Sequence, residues 1–312
     1  MRIISFEGHG QSGLGVMADA TAFVSVREIA PELPNTLIEV LQLSDGIERI
    51  RRAVRPGAKA YRLENFTLKP FLQRPNALWA LALNFKSHIA ETGLTTSLEY
   101  PQIFLRTPAS FVGHAEPLLC PPPELARAYD YEGELGVVIG KAGRHIPIDQ
   151  ALGHVAGYTC VNEGSVREYQ IQNRQFGLGK NFEASGAYGP WLMTADELGD
   201  PEYQAVVTRV NGVTRQRAPL SDMLFDVPSV VSYLSQGYVL RPGDMIAMGT
   251  PGALRPAVGD VEGQDISRQY GPFKTPGLVH MRAGDVVEVE ITSLGVLRNT
   301  VAADAPAAYR VA

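Results

Sequence analysis

The sequence predicts an α+β fold dominated by β-strands, with a small N-terminal unit ahead of a larger body. Three observations predict it. From Ala77 to about Val301, short apolar runs of β-type composition recur at close intervals, most of them flanked by Gly, Pro, Asn or Asp. Helical candidates between them are few, which argues for a sheet assembly and against alternating βαβ units. The first 70 residues carry their own apolar pattern and lead through LKPFLQRP into the strand-dense body. The 312-residue chain therefore divides into 1–70 and 71–312, in keeping with about two domains at ~150 residues each.

In order, RIISF and AFVSV read as short strands. Between them, Gly8-His9-Gly10-Gln11-Ser12-Gly13 matches G-x-G-x-x-G, yet a dinucleotide-binding turn must open a helix. Strand-like residues come next instead, so a hairpin turn is expected. Leu37, Val40, Leu41, Ile47 and Ile50 have helical spacing, closed by Pro56-Gly57. In the body, LWALAL, QIFLR, GELGVVIG, HVAGYTCV, YGPWLM, AVVTRVNG, GDMIAMGT and DVVEVEI are the strand candidates. KSHIAET, IDQAL, SVREYQIQN and VPSVVSYLSQG are the helical ones. Residues 253–283 are rich in Gly and Pro without periodicity, a long loop of the kind that carries function.

Composition narrows the function. At 45% hydrophobic and 20% charged residues the chain can bury a sizeable core. A net charge of −5 gives no bulk attraction to nucleic acid or to an anionic membrane. No apolar run approaches the roughly 18 residues of a membrane span, and MRIISFEGHG has neither the apolar stretch nor the cleavage site of a secretion signal. Two cysteines, Cys120 and Cys160, cannot build a disulfide framework or a thiolate zinc site by themselves. A cytoplasmic soluble protein is expected.

The sharpest local feature is Asp130-Tyr131-Glu132-Gly133-Glu134-Leu135 at the start of an apolar strand. Residues i and i+2 of a strand share a face, so Glu132 and Glu134 would stand side by side with Gly133 leaving room. Such a pair is costly when buried unless a cation neutralises it or one group keeps its proton; the plainer reading is a solvated strand end. GYTCV ends at Asn162-Glu163, supplying a third carboxylate. Three oxygen ligands suit a hard cation such as Mg²⁺, Mn²⁺ or Ca²⁺. His88 and Glu91 lie three apart in a polar segment after LWALAL, within mutual reach on a helical turn. A carboxylate that orients an imidazole makes a general base, although such pairs also occur as solvated surface. Glu163, Arg167 and Gln170 fall on one helical face, where Arg167 could fork onto a carboxylate or simply face solvent. Lys180 sits in a glycine-bounded turn, and Gly249-Thr250-Pro251 offers a hydroxyl and amides to an anion.

Together these segments resemble the fumarylacetoacetate hydrolase family. The matching stretches run in family order: NFKSHIAETG (84–93), DYEGEL (130–135), GYTCVNE (157–163), SVREYQ (165–170), GKNF (179–182), GPWL (189–192), VNG (210–212), LRPGDMIAMGTP (240–251) and GDVVEVEI (284–291). The resemblance implies a β-rich mixed-sheet barrel or roll with a small N-terminal domain, and a homodimer. It implies a Mg²⁺ or Mn²⁺ site at Glu132, Glu134 and Glu163, and a His88–Glu91 dyad acting on water. Arg167, Gln170, Lys180 and Thr250 would lie on the substrate side, with Lys180 stabilising oxyanion charge. Three departures stand out: Glu163 where many members have Asp, Arg106 where many have Lys, and the 253–283 insertion. The reaction implied is hydrolysis of a C–C bond in an acylpyruvate-type oxo acid of the fumarylpyruvate or maleylpyruvate class, in aromatic catabolism. Decarboxylation of a 2-oxo acid, or hydration or isomerisation of an unsaturated one, would use the same site. A member that only binds small oxo acids is the remaining alternative.

Overall fold

The alternating apolar runs assemble mainly into two sheets packed face to face. The structure, a computed structural model, describes residues 1–92, 98–173, 175–254 and 280–304. The larger sheet has twelve strands. Its path runs Ala60–Arg62, Ala22–Ser25, Gln11–Met17, Arg2–Gly8, Gly186–Thr194, Val155–Asn162, Gly133–Ile139, Met245–Ala247, Leu78–Ala82 and Gln102–Arg106. Thr67–Lys69 and Phe111–Val112 pair beside this path. Most neighbours are antiparallel, but Met245–Ala247 runs parallel to Leu78–Ala82, which makes the sheet mixed. The path is open, so the barrel or roll expected from the resemblance is not a closed barrel. The smaller sheet orders Val213–Pro219, Ala205–Val210, Val286–Ile291, Gly295–Ala303 and Leu118–Cys120.

Strand periodicity places the core. In Gly133–Ile139 every residue is buried, because sheet neighbours cover both edges and other layers cover both faces. Leu135, Val137 and Ile139 belong to one apolar cluster with Val206, Val287 and Val289 of the smaller sheet. Val138, one residue out of phase, packs in a second cluster with Val161, Leu37 and Val40. Gly133 shares the phase of Leu135, so its missing side chain faces the smaller sheet and Glu132 and Glu134 face the other way.

The N-terminal unit continues the larger sheet: Arg2 and Ile3 pair with Met193 and Leu192. Arg2–Gly8 and Gln11–Met17 form the hairpin expected from the Gly8–Gly13 segment, turning on His9 and Gly10 at φ of 50° and 74°. The single helix expected through residues 37–50 is two, Leu37–Gln42 and Gly46–Ala53. At the break the chain packs back on itself so closely that a Cβ on Gly46 would stand 2.1 Å from the Val40 carbonyl oxygen. SVREYQIQN is likewise not one helix. Ser165–Val166 pairs with Tyr129–Asp130, and only Arg167–Gln170 turns helical. IDQAL forms a 3₁₀ turn within Ile148–His154. Most of the 253–283 insertion, residues 255–279, lies outside the described residues.

Candidate active site

Glu134 stands on the central strand, Glu132 just before it, and Glu163 one residue past the neighbouring strand, whose Val161 and Asn162 pair with Glu134 and Gly133. The Glu163 amide donates to the Glu132 carbonyl (2.8 Å), and the Glu132 amide to Asn162 Oδ1 (3.1 Å). These backbone bonds bring the three carboxylates together: one oxygen from each lies within 4.8 Å of the others, and all three residues are buried. Gly133 makes the arrangement possible, because a Cβ there would lie 2.0 Å from Thr208 Oγ1 of the smaller sheet.

Cations surround the triad. Lys180 Nζ bridges Glu132 Oε2 (2.7 Å) and Glu163 Oε2 (2.8 Å). Arg167 Nη1 lies 2.6 Å from Glu132 Oε1 and 2.7 Å from Gln170 Oε1, while its Nε and Nη2 both donate to Asp130 Oδ2. Arg106 is buried over the Phe111 ring and held by Ser110, Gly164 and Ser185, with Nη1 3.6 Å from Glu163 Oε1. Ser165 Oγ donates to Glu132 Oε1 (2.8 Å) and the Gly249 amide to Glu134 Oε2 (2.8 Å).

This unequal sharing sets the charges apart. Burial pushes the Glu132 carboxyl up, but Lys180 and Arg167 outweigh it and hold the group well below the usual carboxylate range. Among the described residues no cation forms an ion pair with Glu134, and the charge of Lys180 acts on it only weakly by comparison. Burial, then the charges of Glu163 and Glu132, holds its carboxyl well above that range. Glu163 is raised by burial and by Glu132, against the pull of Lys180 and Arg106. Two buried oxygens, Glu134 Oε1 and Glu163 Oε1, have no hydrogen-bond partner among the described residues. Buried polar atoms rarely stay unmatched. A divalent cation with oxygen ligands would satisfy both and offset the repulsion, so the residues present fit Mg²⁺ or Mn²⁺.

The opposite wall comes from helix Lys86–Thr92. Asn84 anchors its start, donating to the Met248 carbonyl (2.7 Å) and the Phe225 carbonyl (3.0 Å) and accepting from the Phe225 amide (2.9 Å). One cavity is lined by His88, Glu132, Arg167, Gln170, Lys180 and Thr250, with Leu81, Ala82, Leu83 and Phe176 as its apolar part. His88 and Glu132 line this cavity together. The Glu91 side chain lies outside the described residues.

The structure thus gathers His88, Arg167, Gln170, Lys180 and Thr250 around the carboxylate triad. Arg167, which lines the cavity, also bonds to Asp130 and Gln170 and pairs with Glu132. The Gly249 amide is spent on Glu134, not held for an anion. Asp130, Ser165 and Gln216 were not foreseen. Extending the i, i+2 rule one step back from Glu132 would have found Asp130; Ser165 reaches Glu132 across 33 residues and Gln216 reaches Gly133 across 83.

Residues 77–302 match the family described as fumarylacetoacetate (FAA) hydrolase C-terminal, and the chain belongs to that family. It is an enzyme of the fumarylacetoacetate hydrolase superfamily. It is 29% identical over 318 residues to the oxaloacetate tautomerase YisK of Bacillus subtilis, covering 96% of this chain and 100% of that one. To the mitochondrial oxaloacetate tautomerase FAHD2A of Bos taurus it is 31% identical, covering 96% and 91%. The fold is shared with the crystal structure of maleylpyruvate hydrolase from Sphingobium sp. SYK-6 in complex with manganese(II) and pyruvate. There the TM-score is 0.76 at 23% identity, over 98% of this chain and 100% of that one.

Proposed function

We propose that this chain is a divalent-metal-dependent enzyme that enolises a short 2-oxo acid, interconverting the keto and enol forms of oxaloacetate. The observation that carries the reading is the pair of unmatched oxygens on Glu134 and Glu163, in a triad that shares its cavity with His88 through Glu132. Full-length similarity to two oxaloacetate tautomerases supports the choice of substrate. Glu132, Glu134 and Glu163 would hold Mg²⁺ or Mn²⁺, whose Lewis acidity lowers the cost of enolate charge on a chelating oxo acid. The half-buried His88 imidazole takes the proton from the carbon beside the carbonyl. Electrons move into the new C–C double bond, and the proton held by His88 is handed on to the carbonyl oxygen, so that keto and enol forms balance. Lys180, fixed by two carboxylates, offers its remaining N–H to that oxygen as charge develops.

A second reading, hydrolysis of an acylpyruvate C–C bond, is favoured by one observation. Glu91 follows His88 by three residues on the same helix, the spacing of a dyad that would activate water. Decay of enol absorbance separates the two. Metal-dependent ketonisation of enol-oxaloacetate without cleavage of fumarylpyruvate or maleylpyruvate is the expected result; metal-dependent cleavage with no ketonisation would replace the first reading by the second. A homodimer in the cytoplasm belongs to the same proposal. Among the described residues no helix is long and apolar enough to cross a membrane.

A further inference from the structure

Gln216 is buried on strand Val213–Pro219 of the smaller sheet and takes no part in the proton transfers proposed for His88 and Lys180. Two backbone groups set the orientation of its amide. The Gly133 N–H, which only donates, meets Oε1 at 3.0 Å, and the Pro251 carbonyl, which only accepts, meets Nε2 at 2.8 Å. Because Nε2 is a donor alone, its second hydrogen goes to Thr250 Oγ1, 2.8 Å away. Thr250 must accept there, and its one hydrogen goes to the Gly133 carbonyl at 3.1 Å. Thr250 is itself buried and lines the cavity with His88 and Lys180. With its proton committed and one lone pair taken, its hydroxyl can offer the cavity only a lone pair.

We propose that Gln216 is a positioning residue that makes Thr250 a hydrogen-bond acceptor, so that this wall selects ligands bearing a hydroxyl donor, an enol or a 2-hydroxy acid, over carbonyl or carboxylate oxygen. This rests on the reading of the cavity as an oxo-acid site. It reverses the polarity expected for Thr250 from the sequence, where its hydroxyl was read as a group for an anion. An enol carries an O–H that the keto form lacks, so an acceptor here distinguishes the two partners of the proposed reaction. Gln216 also holds Gly133 between two of the carboxylates, tying the triad and the Thr250–Pro251 turn to one side chain of the smaller sheet.

The test is calorimetric titration of the metal-reloaded protein with lactate and with pyruvate, which share a carbon skeleton and differ by hydroxyl against carbonyl at C2. The quantity read is the ratio of the two dissociation constants. Comparing this ratio between variants cancels the intrinsic chelating strength of each ligand. Thr250→Ser is expected to keep the wild-type ratio. Thr250→Val and Gln216→Leu are expected to shift it against lactate by roughly five- to tenfold, the worth of about one hydrogen bond. Gln216→Met, closer to glutamine in shape, serves if leucine prevents folding. An unchanged ratio, or equal weakening of both ligands, overturns the proposal and leaves Gln216 a packing residue. If wild-type protein binds neither ligand, the oxo-acid reading itself fails and takes this inference with it.

Discussion

Glu134 differs from Glu132 only in its surroundings, and that difference is testable. A carboxyl held above its ordinary value of 4.5 by burial and by its two neighbours keeps its proton in the folded chain where the unfolded chain has lost it. Its contribution to stability is full below that value and declines as pH climbs toward the raised one. Metal-stripped wild-type protein should therefore lose thermal stability relative to Glu134→Gln as pH rises from about 4.5; parallel curves for the two would contradict the assignment. Because binding a cation expels the proton, metal affinity should weaken as pH falls, which titration with Mn²⁺ at several pH values would read. Gly133→Ala tests the close approach behind the triad. Its Cβ would collide with Thr208 Oγ1, so a loss of about 1–3 kcal/mol in denaturant unfolding is expected. Adding Thr208→Ala should recover part of it.

Elements were legible where one physical signal dominated. QIFLR became Gln102–Arg106, and VPSVVSYLSQG became helix Val227–Gly237, capped by Asp226 accepting from the Ser229 amide. Strands Gln11–Met17 and Val213–Pro219 carry no such signal, because QSGLGVM is glycine-rich and VTRQRAP mostly polar; both are held by pairing to partners that composition does not reveal. In the site, the carboxylates announced themselves by their spacing. Gln216 could not, since a lone polar residue on a strand acquires its meaning only when Gly133 and Thr250 arrive from far along the chain. One link between elements yields its own prediction. Arg51 of helix Gly46–Ala53 grips Asp196 with two bonds, 2.8 and 2.9 Å, tying the N-terminal unit to the body. That hydrogen bonding holds the Asp196 carboxyl down at about 2. Its contribution is present above the ordinary value of 3.8 and lost as pH falls toward 2. The pair is largely solvent-exposed, so Asp196→Asn should cost under about 1 kcal/mol at neutral pH, and progressively less as pH falls through about 2, measured by urea unfolding.

At the scale of the whole molecule, the smaller sheet packs on the Gly133 face of a glycine-spaced strand inside the larger sheet, and the carboxylates stand on the opposite face. Helix Lys86–Thr92 then delivers His88, the turns after the neighbouring strand deliver Arg167 and Lys180, and strand Gln102–Arg106 delivers Arg106. The smaller sheet supplies core to the site and, through Gln216, also polarity. On the proposed reading, the triad and its wall act together to stabilise an enol beside a cation. Deuterium incorporation at C3 of oxaloacetate in heavy water, followed by nuclear magnetic resonance above the buffer rate, tests this most directly. Metal-stripped enzyme should leave the rate unchanged, Mg²⁺ or Mn²⁺ should raise it, and reloaded His88→Ala should lose most of the gain. Incorporation that ignores the metal, or none from the reloaded wild-type enzyme, would contradict this mechanism.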